Sequence, residues 1–267
     1  MKTHPNRKSV DNEDIAQLYK STRSLQKVSQ LVRLSVSTVH RRLKESGVFT
    51  DRRTYLIDET LFQVLDAEWK AYFLGLLFAD GCVSSNYAIL LNLHEKDRAI
   101  LEQLNTHVYQ NQKPLTYSRA VVYKGKDGLP RNNAAQYKLI ICSKRICENL
   151  SKWGCSARKS LSLLMPMDIP KDMMSHFIRG YFDGDGGVSD HTWCIVSSKA
   201  FCLSLSEYLR SLGLHAVCSD YRKVARLRCW RRADVKFLYE YLYKDATIFL
   251  ERKRAAVYEA SRGTPRI

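Results

Sequence analysis

Asp80 and Asp185 each stand before a glycine at the end of an apolar nonapeptide. The first runs from Phe73 to Gly81 (Phe-Leu-Gly-Leu-Leu-Phe-Ala-Asp-Gly), the second from Ile178 to Gly186 (Ile-Arg-Gly-Tyr-Phe-Asp-Gly-Asp-Gly). A single Asp-Gly after an apolar helix reads as a turn. Two copies that share a small third residue, a small seventh residue and a closing Asp-Gly ask for a further reason. Gly75 and Ala79, and likewise Gly180 and Gly184, lie four apart, so each helix offers a smooth stripe for close approach of another backbone. The closing Gly81 and Gly186 are expected as the left-handed residues that end a helix. Both aspartates then sit at helix C-termini, where the macrodipole disfavours an anion, so a cation is expected beside them.

At these residues the chain resembles the LAGLIDADG homing endonucleases, over roughly Tyr55 to the C-terminus. The resemblance implies an α+β fold of two pseudo-symmetric αββαββα-like halves, with the two nonapeptide helices packed together and two sheets astride DNA. Phe78 departs from the motif at its first acidic position, which Asp183 keeps, and Arg179 departs at a small position. The resemblance makes Asp80 and Asp185 the metal-binding carboxylates, and it places the carbonyls of Ala79 and Gly184 on the metal too. Hydrolysis of a phosphodiester needs an activated water and relief for the leaving oxygen, and Mg²⁺ or another divalent cation supplies both. Lys138 and Arg226 hold comparable places in the last strand of each half and are the candidates for stabilising charge near the scissile phosphates. Lys144 and Lys199 are the alternatives, read as helix-capping or surface residues.

The elements that must position these groups follow in order. Residues 1–50 read as a small all-α helix-turn-helix domain. Asp11 caps a first helix with an Ile15, Leu18, Tyr19 stripe, and Ser24 begins a second with Leu25, Val28 and Leu31 inward. Arg33 to Ser35 make a turn, and Ser35 or Ser37 caps a third helix through Val39 and Leu43. That leaves Ser37, Thr38, His40, Arg41, Arg42 and Lys44 outside, hydroxyls for base edges and cations for phosphates. A plain three-helix interaction bundle is the bland alternative.

Residues 51–165 and 166–267 are expected as the two halves. The first contains a helix over Ala67 to Phe78, a strand over Tyr87 to Leu93 and a helix over Lys96 to Val108. Hairpin arms follow at Leu115 to Tyr123 and Ala135 to Cys142, then a helix over Ser143 to Gly154. Lys124 to Asn133 is expected as a charged connection, either with Lys124, Lys126 and Arg131 on a DNA backbone or as the tip of an ordinary solvated hairpin. Leu161 to Pro170 is an extended crossover. The second half has strands Thr192 to Ser197, Ala216 to Tyr221 and Lys223 to Cys229, a helix over Ala200 to Leu212 and a final helix or two. The alternation around Val224 to Arg232 predicts a half-buried strand with Arg226 and Arg228 on an open face and Arg231 just beyond it.

Composition agrees with a polyanionic partner: 267 residues carry a formal charge of +16. No apolar stretch reaches the roughly 20 residues a membrane span needs, and the N-terminus has no signal-peptide core. The eight cysteines form no Cys-x-x-Cys, so reduced thiols in an intracellular protein are expected. Asp183 to Gly187 resembles the start of a calcium loop but lacks the continuing ligands, and no phosphate-binding glycine loop occurs. The sequence therefore points to a monomeric, metal-dependent endonuclease for double-stranded DNA at a long asymmetric site. An intron-RNA maturase and an inactive DNA-binding regulator are the alternatives.

Overall fold

The computed structural model describes residues 10–22, 24–48, 55, 57–110, 113–125, 127–156, 163–166 and 168–263. They fall into two compact units, 1–56 and 57–267. No helix among the described residues is long and apolar enough to cross a membrane.

The first unit is three helices, α1 (Asn12–Thr22), α2 (Leu25–Val32) and α3 (Val36–Glu45). Ser24 and Ser35 cap α2 and α3 by accepting from the N–H groups of Lys27 and Thr38, and left-handed Arg33 (φ 55°) turns the chain between them. Ile15, Ala16, Tyr19, Val28, Val39 and Leu43 are the core. Leu31, expected inward, is 63% exposed. The buried stripe of α2 is Leu25, Val28 and Val32, one step further round the helix, because Val32 rather than Leu31 faces α1 and α3.

The second unit repeats one plan twice. Its first half holds α4 (Glu68–Ala79), β1 (Gly81–Val83), β2 (Ala88–His94), α5 (Arg98–Tyr109), β3 (Thr116–Ser118), β4 (Val121–Lys124), β5 (Pro130–Asn133), β6 (Gln136–Cys142) and α6 (Lys144–Lys152). Its second half holds α7 (Met174–Asp185), β7 (Gly186–Ser189), β8 (Thr192–Ser197), α8 (Lys199–Ser211), β9 (Val217–Tyr221), β10 (Val224–Cys229), α9 (Arg232–Tyr243) and α10 (Glu251–Arg262). The sheets have matching orders, β1-β2-β6-β3 and β7-β8-β10-β9, antiparallel throughout. In β8 and β10 the residues Trp193, Ile195, Ala225, Leu227 and Cys229 are fully buried, so Cys194, Val196, Arg226 and Arg228 occupy the opposite face.

Two expectations are corrected. Lys124 to Asn133 is not a plain connection: β4 and β5 pair as a separate ribbon, and at its tip the Gly128 N–H donates to the Gly125 carbonyl (2.9 Å). The pairs Thr116–Lys138, Ser118–Gln136, Val122–Asn132 and Lys124–Pro130 keep one register through the break. A ribbon exposed on both faces needs no apolar alternation, which is why pattern reading stopped short of it. Gly81 and Gly186 are not left-handed, and each begins a strand. A Cβ at Gly81 would lie 2.6 Å from the Leu77 carbonyl oxygen, and one at Gly186 would lie 2.0 Å from the Phe182 ring. Close approach, not φ, demands glycine there. Of the crossover, 161–162 and 167 lie outside the described residues, and 163–166 and 168–170 carry no helix or strand.

The helices α4 and α7 meet backbone to backbone. A Cβ at Gly75 would be 2.0 Å from the Phe177 carbonyl oxygen, and one at Gly180 the same distance from that of Tyr72. Around this contact runs a buried polar network. Asp183 is fully buried and accepts from Tyr72 Oη (2.8 Å), Tyr243 Oη (2.8 Å) and Leu250 N (2.7 Å). Burial pushes its carboxyl up to about 6, against these three donors and Arg179.

In Asp183→Asn one acceptor oxygen must serve three donors, so stability should fall by about 1–3 kcal/mol for each donor left unsatisfied. The folded value lies above the ordinary 3.8, so the folded chain holds the extra proton between the two. This group therefore adds stability as pH falls from 7 toward 4. Denaturant titrations should show the gap between wild type and Asp183→Asn widening from pH 7 to pH 5. A gap independent of pH would contradict the assignment.

Candidate active site

Asp80 caps the C-terminus of α4 and Asp185 is the last residue of α7, both exposed. The glycine contact brings these ends together. A Cβ on Gly184 would stand 2.4 Å from Ala79 Cβ and 3.1 Å from Asp80 Oδ2, so the Asp80 carboxylate lies against the helix end that carries Asp185. Gly75, Ala79, Gly180 and Gly184 thus all face the helix contact. The buried Tyr181 donates to Ser197 Oγ (2.7 Å). Burial pushes its phenol up, and the neighbouring Asp185 carboxylate adds to the shift.

The cation expected beside the carboxylates is Lys253, in the first turn of α10. Its Nζ donates to the carbonyl of Gly186, the residue after Asp185. Burial pushes this ammonium below its ordinary value and Arg252 adds to the effect, while Asp183, Asp80 and Asp185 pull the other way. Arg252 is turned aside onto Asp97, with contacts of 2.8–3.2 Å. Sequence reasoning missed Lys253. The run Glu251-Arg252-Lys253-Arg254 shows cations, but only the packing of α10 decides which one faces the carboxylates.

The donor set fits a hard divalent cation. Two carboxylates stand at adjoining helix ends, and Ala79 and Gly184 lie in the last helical turns, where carbonyls have no intrahelical partner and are available as further oxygen donors. Among the described residues no three His, Cys, Asp or Glu side chains gather as a closed metal cage. An open site that leaves positions for water and phosphate oxygens matches this sparse set.

Lys138 and Arg226 occupy equivalent registers. Gly81 pairs with Leu91, which pairs with Leu139; Gly186 pairs with Ile195, which pairs with Leu227. One residue before Leu139 and Leu227 come Lys138 and Arg226, both half-buried on the outer face. The Arg226 guanidinium stacks 3.8 Å from the Tyr221 ring centre, and the Nε atoms of Arg226 and Arg228 are buried without a hydrogen-bond partner. Burial raises the Cys194 thiol, while Arg226, Lys253 and Arg228 lower it, which gathers these three cations around one point of the second sheet. Lys144 instead faces Glu148 (3.7 Å) and Lys199 faces Asp220 (2.8 Å), both on the surface.

On the first unit, Ser37 and Thr38 hydroxyls contact Ser35 Oγ at 3.0 and 2.7 Å. Arg41 pairs with Glu45 (2.8 Å), and Lys44 is exposed. Arg42, expected outside, is half-buried and donates to the Val10 carbonyl (2.9 Å), because its long side chain reaches back over the start of α1. His40 is also half-buried. Lys124 is exposed on β4, Arg131 pairs with Asp127 (3.0 Å), and Lys126 lies outside the described residues. Arg231 is the exposed N-cap residue of α9.

No family model matches the chain. Among curated proteins, 176 residues are 26% identical to part of the replication factor C small subunit of Methanocaldococcus jannaschii, covering 65% of this chain and 9% of that protein. A further 118-residue match, 28% identical, covers 44% of the chain and 12% of DNA-directed RNA polymerase subunit Rpo1C from the same organism. The chain thus spans a small part of the length of these relatives. Among solved structures, the homing endonuclease I-WcaI bound to its DNA recognition sequence superposes with a TM-score of 0.56 at 12% identity, covering 80% of this chain and 97% of that one. The second unit has the fold of the LAGLIDADG homing endonucleases.

Proposed function

We propose that the chain is a site-specific endonuclease that hydrolyses both strands of a long asymmetric DNA duplex with a divalent cation, Mg²⁺ in the first instance. The observation that carries this reading is the meeting of Asp80 and Asp185 at the ends of two helices in glycine contact, with Lys253 bonded to the carbonyl of the residue after Asp185. It is supported by the fold, which is shared with an enzyme captured on its recognition DNA.

When bound, the cation would supply a water of lowered pKa and neutralise charge on the leaving oxygen. Asp80 and Asp185 with the carbonyls of Ala79 and Gly184 would hold it, each carboxylate serving one strand. Lys253, with Arg226 and Lys138 from the outer sheet faces, would donate to phosphate oxygens as negative charge develops. Arg226 and Arg228 share the outer, half-buried face of β10, the side a sheet lying in a groove would turn to the duplex. Two unequal halves in one chain suit a monomer on an asymmetric site.

Incubation of the full chain with a randomised duplex library, followed by sequencing of new ends, tests this directly. Discrete ends that appear with Mg²⁺ or Mn²⁺ and vanish with chelator are expected. Duplex retained but uncut under every cation would leave a DNA-binding regulator, and selective retention of structured RNA would favour the maturase alternative.

Residues 1–50 would form an accessory DNA-binding domain ahead of halves 51–165 and 166–267, with α3 as the element that meets the duplex. Arg41→Ala combined with Lys44→Ala in the full chain should weaken binding at raised salt. The slope of log K against log salt should fall by about one to two units if both side chains meet phosphate. An unchanged slope would return this unit to an interaction module.

A further inference from the structure

The charged pair Arg179 and Asp183 has no counterpart in the first half, although α4 of that half contributes Tyr72 and Glu68 to the network around it. In the first half the same two positions of the nonapeptide are Leu74 and Phe78, both buried, with Phe78 edge-on to Phe177 at 5.3 Å. Those two positions are therefore filled there by apolar side chains. The second half uses Arg179 and Asp183, 1% and 0% exposed. Buried charges seldom add stability over well-packed apolar residues of similar volume, so their presence on one side only calls for another role.

Both side chains reach the same target, the connector between α9 and α10. Arg179 donates to the carbonyls of Leu242 (2.8 Å) and Ile248 (3.0 Å) and to Glu68 Oε1 (2.6 Å). Glu68 in turn accepts from the N–H and hydroxyl of Thr247 and the N–H of Ile248 at 2.7–3.3 Å. Asp183 takes the hydroxyl of Tyr243 at the end of α9 and the N–H of Leu250, the N-cap of α10. Three residues later, on the first turn of that helix, Lys253 reaches the Gly186 carbonyl. A fixed N-cap sets where the first turn of a helix points its side chains.

We propose that Asp183 is a positioning residue: it anchors the start of α10 and so holds Lys253 at the paired carboxylates, through a charged pair that only the second nonapeptide carries. The two halves are then unequal by construction, and one strand depends on this anchor more than the other. The catalytic part of this inference rests on the endonuclease reading; the anchoring part does not.

Two measurements separate them. In the first, the full chain is acetylated with an amine-selective reagent and the rate at Lys253 is read by peptide mass, with exposed Lys236 as internal reference. Asp183→Asn should raise the Lys253 rate about tenfold, the equivalent of losing roughly 1.4 kcal/mol of restraint, and leave Lys236 unchanged. Tyr243→Phe removes one donor only, is milder to folding, and should move the rate the same way by less. Equal rates in wild type and both variants overturn the anchor.

The second measurement follows both strands of an end-labelled duplex in Mg²⁺ for Asp183→Asn, Lys253→Met and the double variant. The double should cut no more slowly than Lys253→Met alone, and the loss in Asp183→Asn should fall mainly on one strand. Losses that multiply, or fall equally on both strands, would make Asp183 merely structural. Should Asp183→Asn fail to fold, Tyr243→Phe enters the same cycle with a smaller expected effect. Failure of wild type to cut any duplex removes the endonuclease reading, and the labelling rates then decide the anchor by themselves.

Discussion

Asp80→Asn and Asp185→Asn are each expected to lower double-strand cleavage by about a thousandfold or more, with DNA affinity retained. The size follows from the chemistry: neutralising one carboxylate removes much of the charge that holds the cation, and several kcal/mol of lost transition-state stabilisation is a factor of ten for every 1.36 kcal/mol or so. Both side chains are exposed at helix ends, and an anion there opposes the helix dipole, so the amide should fold at least as well as the acid. A drop in activity with an unchanged melting curve is therefore the expected signature. Because each carboxylate would serve one strand, strand-specific labels should show the residual nicking moving from one strand to the other between the two variants. Near-normal cutting by either variant would remove that residue from the metal site.

Gly180→Ala is expected to destabilise the fold severely, and Gly180→Leu to leave no soluble native protein. In an ordinary helix, replacing glycine by alanine stabilises by roughly 0.5–1 kcal/mol. At Gly180 the new Cβ would lie 2.0 Å from the carbonyl oxygen of Tyr72 and 3.0 Å from the backbone nitrogen of Leu76. Those are backbone atoms of α4, which cannot rotate away, so the helices must separate and uncover the core between them. The cost should exceed the 1–3 kcal/mol or so typical of overpacking, because main chain rather than a side chain must move. Gly187 is the control: a Cβ there meets nothing within 4 Å, and its φ is not left-handed, so Gly187→Ala should be close to neutral. Thermal unfolding of the two alanine variants side by side decides the matter. A Gly180→Ala protein as stable as wild type would mean that α4 and α7 do not touch along this stripe.

The nonapeptides determined a great deal by themselves. Small residues four apart on an apolar helix allow few uses other than backbone contact. The placing of Asp80 and Asp185 at two helix ends was legible because they close both repeats at the same offset. The start of α2 at Ser24, a serine cap on α3 (Ser35 of the two serines offered) and the alternating strand through Arg226 and Arg228 were readable for the same reason, since capping and pleat alternation act within a few residues of chain.

Tertiary structure decided the rest. Gly81 and Gly186 are glycine because of what a Cβ would strike, and sequence reading assigned them a backbone conformation they do not adopt. The β4–β5 ribbon follows its register rather than its composition. Arg42 looked available until its reach to Val10 was visible. Lys253 is 68 positions from Asp185 in sequence number, and four further cations, Arg252, Arg254, Arg226 and Arg228, lie beside it in sequence or on the second sheet. Local pattern assigns a residue to a helix face, but the identity of the group opposite that face depends on how separate elements pack. The cation that balances the two carboxylates is therefore a property of the folded chain, set where the Asp183 anchor places the start of α10.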